Sequence, residues 1–135
     1  MTENGQNKIL IIDDDKLLLD MYSMKFKEKG FEVVSALGSL DALAKLREGL
    51  KPKVILLDLV MPAMDGFELL ETAKKEMLGG QALYIVLSNL GQDTDIERAK
   101  NLGADGYVVK ASVTPSEVVT HVLGVIDAKK KETDV

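Results

Sequence analysis

Acidic residues follow directly on two of the most apolar runs in this chain. Ile9-Leu10-Ile11-Ile12 leads into Asp13-Asp14-Asp15, and Val54-Ile55-Leu56-Leu57 leads into Asp58. Four bulky aliphatics in a row read as a strand buried on both faces, the pattern of a parallel sheet. Carboxylates at the exit of such strands are poorly solvated and close together, so their mutual repulsion calls for a counter-ion. The pattern points to a cation site, and a cation beside a lone aspartate points to phosphate chemistry. Two more polar residues close later apolar runs: Ser88 after Leu83–Leu87, and Lys110 after Tyr107-Val108-Val109.

Placing these residues falls to an alternation of strand-like and helix-like segments. Strands are expected over Lys8–Ile12, Glu32–Ala36, Val54–Leu57, Leu83–Leu87 and Gly106–Val109. Helices are expected near Leu17–Lys29, Leu40–Leu46, Phe67–Met77, Thr94–Leu102 and Pro115–Ala128. Thr94-x-x-Glu97 and Thr114-x-x-Glu117 fit the capping box, and Pro115 suits a first helical position. Gly30 and Gly103 follow helices where a left-handed residue is wanted. Leu18, Met21, Tyr22 and Phe26 recur on one side of the first helix as a core-facing stripe. Strict alternation of this kind implies a doubly wound parallel sheet with helices on both faces. In such sheets ligands bind at the carboxyl ends of the strands, where the strand order reverses.

Composition narrows the options. The 135 residues suit one domain with a real core, and 46% hydrophobic with 29% charged is ordinary for a globular protein. A net charge of −5 argues against direct nucleic-acid binding. No apolar stretch is long enough to insert in a membrane, and the polar N-terminus lacks a signal-peptide layout. With no cysteine, the cytoplasm is the expected compartment. Residues 1–7 and 129–135 read as flexible ends of a domain spanning 8–128. Too little chain follows residue 128 for an output domain, so a stand-alone regulator or an excised domain is expected.

The strand-end residues resemble those of the response-regulator receiver domains of bacterial two-component signalling. That pattern here is Ile12-Asp13-Asp14, Leu57-Asp58-Leu59-Val60-Met61-Pro62, Leu87-Ser88 and Val109-Lys110, supported by Met64-Asp65-Gly66 and Gly103-Ala104-Asp105-Gly106-Tyr107. The resemblance covers residues 8–128 and implies a flavodoxin-like fold with five strands and five flanking helices. The strand order 2-1-3-4-5 comes partly with the resemblance, and its reversal falls between the strands ending in Asp13 and Asp58.

The resemblance also implies roles. Asp58 would accept a phosphoryl group from a histidine kinase or phosphotransfer protein. Asp14, Asp58 and the carbonyl of Val60 would coordinate Mg²⁺, with Asp13 holding its waters, and Mn²⁺ could substitute. Mg²⁺ suits such a set because it takes oxygen ligands and retains waters. Lys110 would pair with Asp58 at rest and with a phosphoryl oxygen afterwards, Ser88 would donate to another, and Tyr107 would couple the change to an interaction face. A downstream protein target and a phosphorylation-dependent homodimer follow as expectations. No separate turnover substrate is implied, so the chain is not expected to be an enzyme.

Three features depart from the family pattern. Ala111 stands where a proline usually follows the lysine, and Asn89 replaces a small residue after Ser88. Val60 and Leu90 make an apolar pair two positions beyond Asp58 and Ser88, which suggests that attacking water is impeded.

Other readings compete. Asp13-x-Asp15 resembles the nucleophile motif of haloacid-dehalogenase-type phosphatases, with Asp13 as nucleophile and Asp15 as acid/base; Leu17 and the missing acidic pair after Lys110 argue against it. Flavodoxin-like cofactor binding would be opposed by three consecutive acids. A degenerate receiver acting only as a binding module sits poorly with an intact set of acids, serine and lysine. Taken singly, Asp15 is a helix cap, His121 a surface or packing residue, and Lys129–Lys131 a solvated helix end.

Overall fold

A computed structural model describes residues 7–133. The elements in order are β1 (Lys8–Asp13), α1 (Lys16–Glu28), β2 (Glu32–Leu37), α2 (Ser39–Arg47), β3 (Val54–Leu57), α3 (Gly66–Lys75), β4 (Leu83–Ser88), α4 (Asp93–Asn101), β5 (Gly106–Val109), a 3-10 turn (Lys110–Ser112) and α5 (Pro115–Thr133). The strands form one sheet in the order β2-β1-β3-β4-β5, and every pairing is parallel. This is the flavodoxin-like arrangement that the sequence implies.

The side-chain period of two divides the strands between two cores. Leu10, Ile12, Ile55, Leu57 and Val86 pack under Leu43 and Leu46 of α2 and Phe67 and Leu70 of α3. Ile9, Ile11, Val54, Leu56 and Ile85 pack on the opposite face under Phe26 of α1 and Val118 and Val122 of α5. Burial on both faces explains why these strands read as unbroken aliphatic runs rather than alternating ones.

Register aligns the strand ends. Ile12 pairs with Leu57, so Asp13 and Asp58 leave the sheet side by side, and the Asp58 N–H donates to the Ile12 carbonyl at 3.1 Å. Ser88 pairs with Val109, which places Lys110 one step beyond on the same rim.

Local details differ from expectation at several points. The Thr114–Glu117 capping box is present: Thr114 N–H donates to the Glu117 carboxylate at 2.8 Å, and Glu117 N–H to the Thr114 hydroxyl at 3.2 Å. The Thr94 box is not, because α4 starts one residue earlier and its N-cap is Gln92. Thr94 therefore lies inside the first turn, where Asp93 and Asp95 complement the helix dipole instead. A further box, Asp65 with Glu68, opens α3. In α1 the buried stripe is Leu19, Tyr22 and Phe26, while Met21 faces solvent and Leu18 is only partly covered. Helix α5 runs beyond the expected Ala128 to Thr133, with Lys129 3.5 Å from Asp105, so the segment expected to be a flexible tail begins as helix. Residues 1–6 and 134–135, to which the other flexible-end expectations apply, lie outside the described residues.

Candidate functional site

Four of the five strands, β1, β3, β4 and β5, deliver a polar side chain to the rim. The Asp13 carboxylate, 2% exposed, accepts the Asp15 N–H at 2.9 Å, which turns the chain from β1 into α1. Asp15 caps that helix by accepting the Leu18 N–H at 3.2 Å, so its carboxylate is engaged as a cap rather than poised as an acid or base. Asp58, 6% exposed, accepts the Leu59 N–H at 2.7 Å and the Val60 N–H at 3.3 Å through Oδ1. Its backbone is clamped from behind by Gly66, where a Cβ would lie 2.2 Å from the Asp58 carbonyl oxygen and 2.6 Å from the Leu59 Cα.

Lys110 ties the cluster together. Its Nζ donates to Asp13 Oδ2 at 2.7 Å and to Asp58 Oδ2 at 2.9 Å, so the lysine that the resemblance pairs with Asp58 alone is shared between two acids. Burial would lower its pKa, but the hydrogen bonds to Asp13 and Asp58 prevail and hold it above the ordinary lysine value. Burial pushes the Asp13 carboxyl up, against the Lys110 and Asp15 hydrogen bonds that favour its charged form. Asp14 is exposed, and one carboxylate oxygen each from Asp13, Asp14 and Asp58 lies within 4.8 Å of the others. Three carboxylates against one ammonium leave the cluster formally two charges negative. An all-oxygen set with a negative excess and one solvent-facing member fits a hard cation that keeps part of its water shell.

The remaining residues frame this cluster. Ser88 is fully buried, and its Oγ accepts the Leu90 N–H at 3.3 Å, leaving the hydroxyl proton free to be redirected. The Tyr107 hydroxyl donates to the Leu90 carbonyl, so the fifth strand is bonded to the loop that starts at Ser88. Asn89 is exposed on that loop. The apolar pair is split by the fold: Leu90 packs against the α2–α3 core, whereas Val60 is 58% exposed. Where the proline is missing, Lys110, Ala111 and Ser112 form a 3-10 turn closed by Val113 N–H to the Lys110 carbonyl at 3.3 Å, and no peptide bond among the described residues is cis.

Two positioning residues escaped the sequence reading. Buried Ser39, at the start of α2, donates its hydroxyl to the Met61 sulfur at 3.6 Å and so anchors the loop after Asp58. Gly66 was visible only as part of a turn. Its close approach to the backbone depends on the loop folding back, for which residue types offer no signal.

Comparison with known proteins agrees with this geometry. The family model of the response regulator receiver domain matches residues 9–123. The probable transcriptional regulator ycf27 of Porphyra purpurea is 30% identical over 131 residues, which is 97% of this chain and 52% of that protein. The DNA-binding dual master transcriptional regulator RpaA of Synechocystis is 33% identical over 103 residues, 76% of this chain and 42% of RpaA. The chain thus spans about half the length of the curated relatives it matches. Among solved structures, a CheY-like receiver domain protein of Methanospirillum hungatei superposes with a TM-score of 0.82 at 31% identity, over 93% of this chain and 98% of that one. The chemotaxis protein CheY4 of Vibrio cholerae gives 0.79 at 27% identity, over 87% and 97%. None of these favours the phosphatase or cofactor-binding readings. Sequence, fold and the rim where the charges gather agree, and the chain belongs to the response-regulator receiver family.

Proposed function

We propose that Asp58 is the phospho-acceptor of this receiver and that Lys110 and Ser88 hold the transferred group. The observation that carries the reading is the Lys110 ammonium bonded to both buried carboxylates of the rim, of which Asp58 is the one standing before Met61-Pro62 at the acceptor place of the receiver pattern. A carboxylate oxygen of Asp58 attacks the phosphorus of a phosphohistidine. The P–N bond breaks, its electron pair stays with the imidazole nitrogen, and an acyl phosphate remains on Asp58. Lys110 then pairs with a phosphoryl oxygen, and Ser88 turns its hydroxyl from the loop toward another. Such catalysis is positioning and charge stabilisation.

Receiver domains bind Mg²⁺ at an acidic cluster, and Asp13, Asp14, Asp58 and the Val60 carbonyl would hold it here. When bound, the ion supplies neutralisation of the negative charge that would otherwise oppose an incoming phosphate. Response regulators work with histidine kinases and downstream effectors. For this chain the donor is a histidine kinase or phosphotransfer protein, and the output is a protein contact altered through the Tyr107–Leu90 link. The domain turns over no separate substrate and works in the cytoplasm. Among the described residues no helix is long and apolar enough to cross a membrane.

Incubation with a small acyl-phosphate donor and Mg²⁺ is expected to add one phosphoryl group to Asp58, located by mass spectrometry after borohydride trapping, and to add none to Asp58→Asn. Label on Asp13 instead would refute the assignment. Val60 and Leu90, with Asn89 beside them, are proposed to prolong the phosphorylated state by keeping attacking water away. A Val60→Asn, Leu90→Glu double variant should lose its phosphoryl group about tenfold faster, equivalent to about 1.4 kcal/mol of barrier. An unchanged dephosphorylation rate would remove these residues from the account.

A further inference from the structure

Strand β2 forms one edge of the sheet, and little in its sequence guards that edge. Edge strands are commonly blunted by lysine, proline or a bulge, because their unpaired main chain can bind another strand. Glu32–Leu37 contains no lysine, proline or glycine, and its single charge, Glu32, is paired with Lys8 of the neighbouring strand at 3.5 Å. Glu32 N–H donates to the Asn7 carbonyl at 2.9 Å, and Gly38 N–H to the Asp13 carbonyl at 3.1 Å. Main-chain groups alternate in direction along a strand, so the even-numbered residues here face β1. Val33, Ser35 and Leu37 therefore turn their N–H and C=O groups outward, and among the described residues no main-chain bond from outside the sheet engages them.

A groove of about 610 Å³ runs beside this edge, between α1 and β2. It spans Asp20 to Glu28 on the helix and Val33 to Ser35 on the strand, so Val34 is level with the middle of that helix flank, near Met24. Asp20 and Lys27 both stand on the flank. Seven residues at about 100° each return to within about 20° of the same direction, so the two lie on one stripe with Met24 between them. Asp20 pairs along its own helix with Lys16 at 3.1 Å, and Lys27 makes no ion pair among the described residues. Met24 is 59% exposed.

A second copy of β2 fits this edge. Laid antiparallel with Val34 opposite the second copy's Val34, it sets Val33 opposite the second copy's Ser35, and residues so placed exchange two main-chain bonds. Glu32 stands opposite Ala36, so no like charges are opposed along the strands. The two-fold axis is perpendicular to the sheet, which puts both α1 helices on the same face, antiparallel across the groove. Asp20 is then level with the second copy's Lys27, Lys27 with its Asp20, and Met24 with its Met24.

We propose that the β2 edge and the α1 flank beside it form a two-fold interface through which two copies of the chain join their sheets into one. None of these residues belongs to the Asp58 rim, so the association does not require phosphorylation. One strand pair and one helix flank make a small interface, and the dimer is accordingly weak.

Sedimentation equilibrium and amide hydrogen exchange of the full unphosphorylated chain, from micromolar to millimolar concentration, test this. The wild-type chain should dimerise, and its Val33 and Ser35 amides should exchange at least about tenfold more slowly in the dimer than in the dilute monomer. Ser35→Pro removes an outward donor without touching the β1 ladder, a place where an edge strand tolerates proline. It should weaken association at least about tenfold, with the dilute chain still melting cooperatively. Lys27→Asp should also weaken it, and adding Asp20→Lys should restore it by exchanging the two charges. A chain that stays monomeric throughout would overturn the proposal and leave the edge to a segment of another protein. A dimer whose Val33 and Ser35 amides stay unprotected, or a charge exchange that fails to restore association, would overturn it equally.

Discussion

Asp13 sits under opposing influences, and their balance is measurable. Burial raises its pKa, while hydrogen bonds from Lys110 and the Asp15 N–H pull the other way without cancelling it. A carboxyl with a raised folded-state value binds its proton more tightly when native. Its charge is therefore a cost at neutral pH, and that cost disappears as pH falls through the raised value toward the unfolded 3.8. In chelator-treated buffer, Asp13→Asn is expected to raise the urea midpoint at neutral pH, with the gain vanishing in acid; urea midpoints followed across pH measure it. The sequence shows Asp13 and Asp14 only as neighbours after the same strand, and the resemblance gives them different parts at the metal. Their division, one buried against Lys110 and one exposed, follows from the turn into α1, which rotates consecutive side chains to different environments.

At the scale of elements, the loop from β3 to α3 decides whether Asp58 is held in place. Gly66→Ala would drive a methyl group into the Asp58 carbonyl and the Leu59 Cα, both backbone atoms that cannot swing aside. We expect a loss of about 2–3 kcal/mol, and phosphorylation from an acyl-phosphate donor slowed well beyond the loss of folded protein, checked by melting and by phosphorylation kinetics on the same preparation. Ala63 in the same loop has φ of 69°, a left-handed conformation costly for a residue with a Cβ. Ala63→Gly should therefore stabilise by about 0.5–1 kcal/mol, seen as a higher urea midpoint with the phosphorylation rate retained. Element types and order were legible because two-sided burial and helical periodicity are written in local residue pattern. The Thr94 and Thr114 motifs show where that legibility stops. They look alike in sequence, and only the point at which each chain segment meets the core decides which threonine stands outside the first turn.

Across the whole molecule, the parallel sheet concentrates negative charge that the unfolded chain keeps apart. Folding brings Asp13, Asp14 and Asp58 within reach of one another with a single ammonium to offset them. A bound divalent ion should relieve this and stabilise the native state by mass action, about 2.7 kcal/mol at a hundredfold excess over Kd. Thermal melting with Mg²⁺ is expected to show a rise in Tm reversed by chelator, and Asp14→Asn should blunt that rise while leaving the metal-free Tm equal or higher. By itself the sequence determined which segments are strands, which are helices, and which polar residues end the strands, because these depend on the free energies of neighbouring residues. Only the tertiary structure decided who meets whom. Lys110 reaches Asp13 across 97 positions and Asp58 across 52, Tyr107 bonds the loop beyond Ser88, and Ser39 anchors Met61. Those contacts arise from strand order, register and crossover packing, which join residues that no local pattern connects.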